Sequence, residues 1–105
     1  MREAEIGGKI VVRVDGDLEE LIPEFLAVRR QNIRSMLEAL ARDDYETIRV
    51  LGHRMNGSGG GYGFDAITHI GRSLEQTARN RDPEKIRTLV DELAAYLESV
   101  EIVYQ

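Results

Sequence analysis

The sequence predicts an all-α fold, an antiparallel four-helix bundle with a short N-terminal extended arm and helix. Three observations predict it. Four amphipathic stretches of helical period follow one another from residue 17 onward. The connections between them are short, and two carry capping residues, Asp43-Asp44 and Asp82-Pro83. At 105 residues and 42% hydrophobic content, the chain suits one domain with its own core. The division expected along it is an arm over 1–16 and a helical bundle over 17–105.

Residues 9–14, Lys-Ile-Val-Val-Arg-Val, are β-prone and end at the turn signal Asp15-Gly16. A lone strand finds no obvious partner elsewhere in the chain. It is therefore read either as an extended arm or as a strand pairing outside the monomer. Asp17 caps a short segment through Ile22, and Pro23 suits the first turn of a longer helix. Leu26, Ile33, Leu37 and Leu40 share one face of that helix. Ala41 to Asp44 connects to the next, with Asp43 or Asp44 as N-cap and Glu46 facing the positive helix end. The third stretch carries Ile48, Leu51 and Met55, and its stripe continues through Gly59 to Tyr62. A fourth runs from Phe64 to Arg79 on Phe64, Ile67, Leu74 and Ala78. The last follows Asp82-Pro83 and lines up Ile86, Leu89, Leu93, Leu97, Val100 and Tyr104.

Several function classes drop out on composition. The 14 basic against 19 acidic residues give a net charge of −5, the wrong sign for a phosphate backbone, so nucleic acid is not the expected partner. The basic clusters Arg29-Arg30 and Arg79-Asn80-Arg81 are read as solvated helix ends. With 31% charged residues and no apolar run near the roughly 18 residues of a spanning helix, no membrane segment is expected. The start Met1-Arg2-Glu3-Ala4-Glu5 lacks the layout of a secretory signal, and the absence of cysteine removes disulfides and thiol catalysis. The expected location is the cytoplasm.

The stretch from Gly52 to Gly63 is odd for a bundle, since six of its twelve residues are glycine. Each glycine inside a helix costs about 1 kcal/mol against alanine. Either bare backbone is needed there, or the helix stops near Asn56 and a loop follows. At about 100° per residue, Leu51, Met55, Gly59 and Tyr62 fall within roughly 60° of Ile48, whereas His53 lies about 140° away. His53 thus faces outward, on the side that carries Arg49, Asn56, Gly57 and Gly60, with Arg54 at its edge. A partner can approach an imidazole across such a smooth patch. Neutral imidazole is a good nucleophile, and its ordinary pKa of about 6.5 leaves it mostly neutral near pH 7. A hydrogen bond to the other ring nitrogen would hold the reactive tautomer. Glu75, on the flank of the fourth stretch, comes alongside His53 if the two helices run antiparallel.

These residues resemble the histidine phosphotransfer (HPt) family. Its signature is a histidine with an apolar residue at +2, lysine at +3, glycine at +4, small residues beyond and glycine at +10. The matches are His53, Met55, Gly57, the small Ser58 and Gly59, and Gly63. Residues 64–75 resemble the family's following helix, where an acid or amide that commonly bonds the imidazole falls on Glu75. The likeness covers about residues 18–105 in helical layout, with the motif confined to 53–75. One departure stands out: the lysine is Asn56, and no neighbouring lysine replaces it, since only Lys9 and Lys85 occur. Arg49 and Arg54 are the candidate substitutes for its charge.

The resemblance implies a phosphorelay intermediate in which His53 exchanges a phosphoryl group with receiver-domain aspartates. Its implied partners are response-regulator receiver domains and a hybrid sensor histidine kinase. No cofactor of its own is expected, because Mg²⁺ would come from the partner receiver domain. No intrinsic kinase activity is expected either, the chain being too short to hold a nucleotide-binding kinase domain as well. The alternative is a helical module that binds a receiver or kinase without carrying phosphate. Other chemistries fit poorly. The glycine run lacks the Walker lysine and any preceding strand, and Ser58 has no base at a triad spacing. His69 points about 160° from its own apolar stripe and reads as solvated, so the two histidines make no metal pair.

Overall fold

In the computed structural model, described over residues 3–105 and for the backbone alone at Gly59 and Gly60, four helices pack beside a small sheet. Strands β1 (Glu3–Ile6) and β2 (Lys9–Val14) lead through a short 3-10 turn at Gly16–Leu18 into helix α1 (Ile22–Ala41). Helices α2 (Tyr45–Tyr62), α3 (Asp65–Arg79) and α4 (Pro83–Ser99) follow, and the chain turns straight into strand β3 (Val100–Tyr104).

The four-helix expectation holds, but the all-α class does not, because of this sheet. Its order is β1-β2-β3. Gly7 and Gly8, both at positive φ (58° and 82°), make the tight turn that folds β1 antiparallel onto β2. β3 then pairs parallel to β2, with Ile10 beside Val100 and Val14 beside Tyr104. The strand read as unpartnered therefore has a neighbour on each side within its own chain. Val100 and Tyr104, assigned above to the last helix, belong to β3; Val100 already has extended dihedrals (φ −74°, ψ 134°). Val12 and Val14 are fully buried in the same core as Ile22, Met36, Ile48, Met55, Phe64, Leu74 and Leu93.

The helix boundaries follow local chemistry. Asp44 caps α2, its carboxylate accepting the Thr47 N–H at 3.1 Å and the Thr47 hydroxyl at 2.6 Å. Those bonds hold the Asp44 carboxyl below its ordinary value. Asp82 caps α4 through the Lys85 N–H at 3.2 Å, with Pro83 in its first turn. Asp17 caps nothing toward Ile22. Asp15 caps the 3-10 turn instead, accepting the Asp17 N–H, while α1 starts after Leu21 without a side-chain cap. Pro23 does sit in the first turn of α1.

The buried stripe of α1 is Ile22, Phe25, Leu26, Arg29, Met36 and Ala39, with Ile33, Leu37 and Leu40 packed half-buried beside it. Arg29 is thus no solvated helix end; it is 8% exposed. Its guanidinium lies 5.1 Å over the Phe25 ring and donates to the Ser58 hydroxyl of α2 at 3.0 Å. Its Nε finds no hydrogen-bond partner among the described residues, and burial pushes its pKa down.

Candidate functional site: an exposed imidazole on a glycine-paired helix crossing

Two glycines set the distance between α2 and α3. A Cβ at Gly52 would stand 2.7 Å from the Gly71 carbonyl oxygen and 2.8 Å from the Glu75 nitrogen. A Cβ at Gly71 would stand 2.6 Å from the Met55 Cβ and 2.8 Å from both the Asn56 nitrogen and the Gly52 oxygen. Real Cβ atoms do not come that close to backbone, so only glycine at both positions permits this approach. His53 follows Gly52 directly, and Glu75 lies one turn beyond Gly71 on the facing helix.

The crossing brings the two side chains together. His53 exposes 69% of its side chain, while Glu75 exposes 13%. The His53 Nδ1 lies 3.4 Å from Glu75 Oε1 and 3.3 Å from Oε2, a shared contact at the long end of hydrogen-bonding range. An ionised carboxylate can only accept, so this contact calls for an N–H at Nδ1 of the ring. The other edge of Glu75 is held by Arg79, which donates through Nη2 to Oε2 at 3.0 Å. A mostly buried carboxylate is thereby fixed between a guanidinium and an imidazole.

Arg49 does not reach the imidazole as a free cation. It forms a two-bond fork on Glu46, with Nε and Nη2 at 3.0 and 2.6 Å from the carboxylate oxygens. Hydrogen bonds to Glu46 raise its pKa first, and Glu75 adds a smaller electrostatic share. Arg54 is exposed, and Asn56 is half-buried with its backbone against Gly71. Gly57 is exposed, with nothing within 4 Å of the place a Cβ would occupy, so the surface one turn beyond His53 is open. Gly60, expected on the same patch, lies outside the residues whose surroundings are described. His69 is exposed on α3. Among the described residues, no group of three or more His, Asp or Glu side chains is placed to hold a metal ion.

Sequence reasoning missed three residues here. Gly71 carried a signal, as a lone glycine in a strongly amphipathic helix. Arg79 sits four residues after Glu75, the spacing at which a helical ion pair forms, but it was read as a solvated helix end. Arg29 lies three residues after Leu26 and four before Ile33, which put it on the apolar stripe.

The fold and site define a helical bundle that displays one carboxylate-tethered imidazole beside a bare stretch of helix. The Hpt domain family model matches residues 20–102, and the chain belongs to that family. Hpt domains work in phosphorelay histidine phosphotransfer, where they meet receiver domains and kinases. Neither curated proteins nor solved structures include a significant match to the chain. No helix among the described residues is long and apolar enough to cross a membrane.

Proposed function

We propose that this protein is a phosphorelay intermediate that accepts a phosphoryl group at His53 Nε2 from a receiver-domain aspartyl phosphate and returns it to another receiver. The observation that carries the reading is the His53–Glu75 contact, in which an exposed ring is held through Nδ1 by a carboxylate that is itself mostly buried. With Nδ1 so engaged, Nε2 is the nitrogen left to react. Its lone pair attacks phosphorus, the N–P bond forms, and the acyl-phosphate P–O bond breaks with the electron pair leaving on the receiver's aspartate. The ring gains positive charge in that step, and Glu75, accepting from Nδ1–H, stabilises it. Arg79 holds Glu75 in place through its hydrogen bond to Oε2. The open surface at Gly57 gives a receiver's active site room to close over the imidazole. Mg²⁺ and the acidic machinery of transfer belong to the receiver, and no kinase activity of this chain is involved. The cytoplasm, where receivers and kinase catalytic domains work, is the location this role requires.

A second reading, a phosphate-free adaptor for a receiver or kinase domain, draws on Asn56. It supplies no charge where the family has lysine, and Arg49 is tied to Glu46. Incubation with a phosphorylated receiver decides between the two. Acid-labile, base-stable label on the wild type and none on His53→Gln is the expected result. Receivers that bind both proteins equally and label neither would sink the relay and leave the adaptor.

A further inference from the structure

Among the described residues the sheet has two free edges, β1 and β3, and they differ in kind. In a parallel ladder, alternate residues direct both backbone groups at the neighbour. Gln105 N donates to the Val14 oxygen at 2.9 Å and Gln105 O accepts from Gly16 N at 2.8 Å. By that parity Glu101 and Val103 also bond toward β2, while the N–H and C=O groups of Val100, Ile102 and Tyr104 point outward. β3 carries no Pro or Lys, and no charge on its inward face, the usual devices that keep an edge from pairing. Its one charge, Glu101, is on the outer face, 3.9 Å from Lys9 of its own sheet. β1, the opposite edge, is guarded: it has four residues, and Glu3 and Glu5 share the inward face with Val12 and Ile10.

We infer that the free edge of β3 pairs antiparallel with the same edge of a second copy, joining two three-stranded sheets about a two-fold axis at Ile102. That register satisfies the parity, because Val100, Ile102 and Tyr104 of one copy meet Tyr104, Ile102 and Val100 of the other as hydrogen-bonded pairs, closing about six backbone bonds. On the inward face it makes a continuous apolar row from Val12 and Ile102 of one copy to Ile102 and Val12 of the next. On the outward face each Glu101 comes opposite Val103 of the other copy rather than opposite Glu101. Val103 is 42% exposed and pairs with Arg13 in its own sheet, so Arg13 of one copy lies two strands from Glu101 of the other. Across the axis the two Glu101 side chains are diagonal neighbours at about 7–8 Å, and the Arg13 of each copy partly offsets that like-charge pair. Two five-residue strands make a small interface, so the dimer forms weakly and in proportion to concentration.

Sedimentation equilibrium from about 1 µM to 1 mM tests the pairing. The wild type should pass from monomer to dimer in that range. Val103→Glu places a glutamate directly opposite Glu101 of the other copy, twice per dimer, and should weaken association about tenfold. Val103→Lys places a lysine there and should strengthen it several-fold. Within one copy the same changes act in the opposite sense, since Val103 faces Arg13, so loss of fold cannot imitate the pattern. A wild type that stays monomeric at 1 mM overturns the inference and leaves the edge for a strand of another protein. Equal weakening by both variants also overturns it, because a non-specific apolar contact does not read the sign of the charge.

Discussion

Glu75 is worth more to this site through where it is held than through its charge alone. A surface glutamate would sample many rotamers, and its bond to an exposed histidine would be worth little. Here the carboxylate is mostly buried, backed by Arg79, and meets the ring at Nδ1. Glu75→Ala should therefore slow phosphoryl transfer to His53 about tenfold, the equivalent of one charge-assisted hydrogen bond. Glu75→Gln, which can still accept from Nδ1–H, should recover part of that rate. Arg79 is half exposed, and its pair with Glu75 is worth at most about 1 kcal/mol, so Arg79→Ala should slow transfer by less than about fivefold. Single-turnover transfer from a phosphorylated receiver, with thermal unfolding as a control for fold, measures all three. An Arg79→Ala loss larger than that of Glu75→Ala would mean that the guanidinium acts directly on the phosphoryl group.

At the scale of elements, the glycines of α2 and α3 serve two different purposes, and stability measurements separate them. Gly71→Ala drives a Cβ into the Met55 Cβ and the Asn56 and Gly52 backbone, so α2 and α3 must move apart. We expect a loss of about 1–3 kcal/mol in urea unfolding, together with weaker transfer as the His53–Glu75 contact opens. Gly57→Ala meets nothing and should stabilise the chain by about 0.5–1 kcal/mol through helix propensity, while lowering affinity for a receiver that needs the bare surface. A stabilising Gly71→Ala would show that the two helices do not depend on close approach. The sequence made His53, its outward direction and the cost of the glycine run legible, because helical angles and propensities are local. It did not reveal the Gly52–Gly71 crossing, since which glycine meets a neighbouring helix depends on packing between two elements. Arg29 departs from the solvated helix end its charge suggests for a related reason: a guanidinium stacked on Phe25 and bonded to Ser58 can be buried.

The whole molecule departs from a plain helical bundle at the sheet, and here the sequence was ambiguous in period. Leu97, Val100 and Tyr104 continue a helical stripe at spacings of three and four, while Val100, Ile102 and Tyr104 alternate at the spacing of a strand. Five residues are too few to decide between these periods. The deciding partner, residues 9–14, lies some ninety positions away in the chain, and only folding brings the two together. The pairing encloses all four helices between β2 and β3, and it carries Val12 and Val14 into the common core at 0% and 1% exposure. Residues 3–14 should therefore be part of the cooperative unit. A chain starting at residue 17 loses the burial of both valines, about 4 kcal/mol at roughly 2 kcal/mol for each side chain, and the β2–β3 ladder as well. That is a large share of the roughly 5–15 kcal/mol typical of a domain. Its melting temperature should fall by about 20 °C or more, followed by calorimetry on both chains. A fall of less than about 5 °C would mean that the helices hold together without the sheet, and that β1 and β2 are an attachment to an independent bundle.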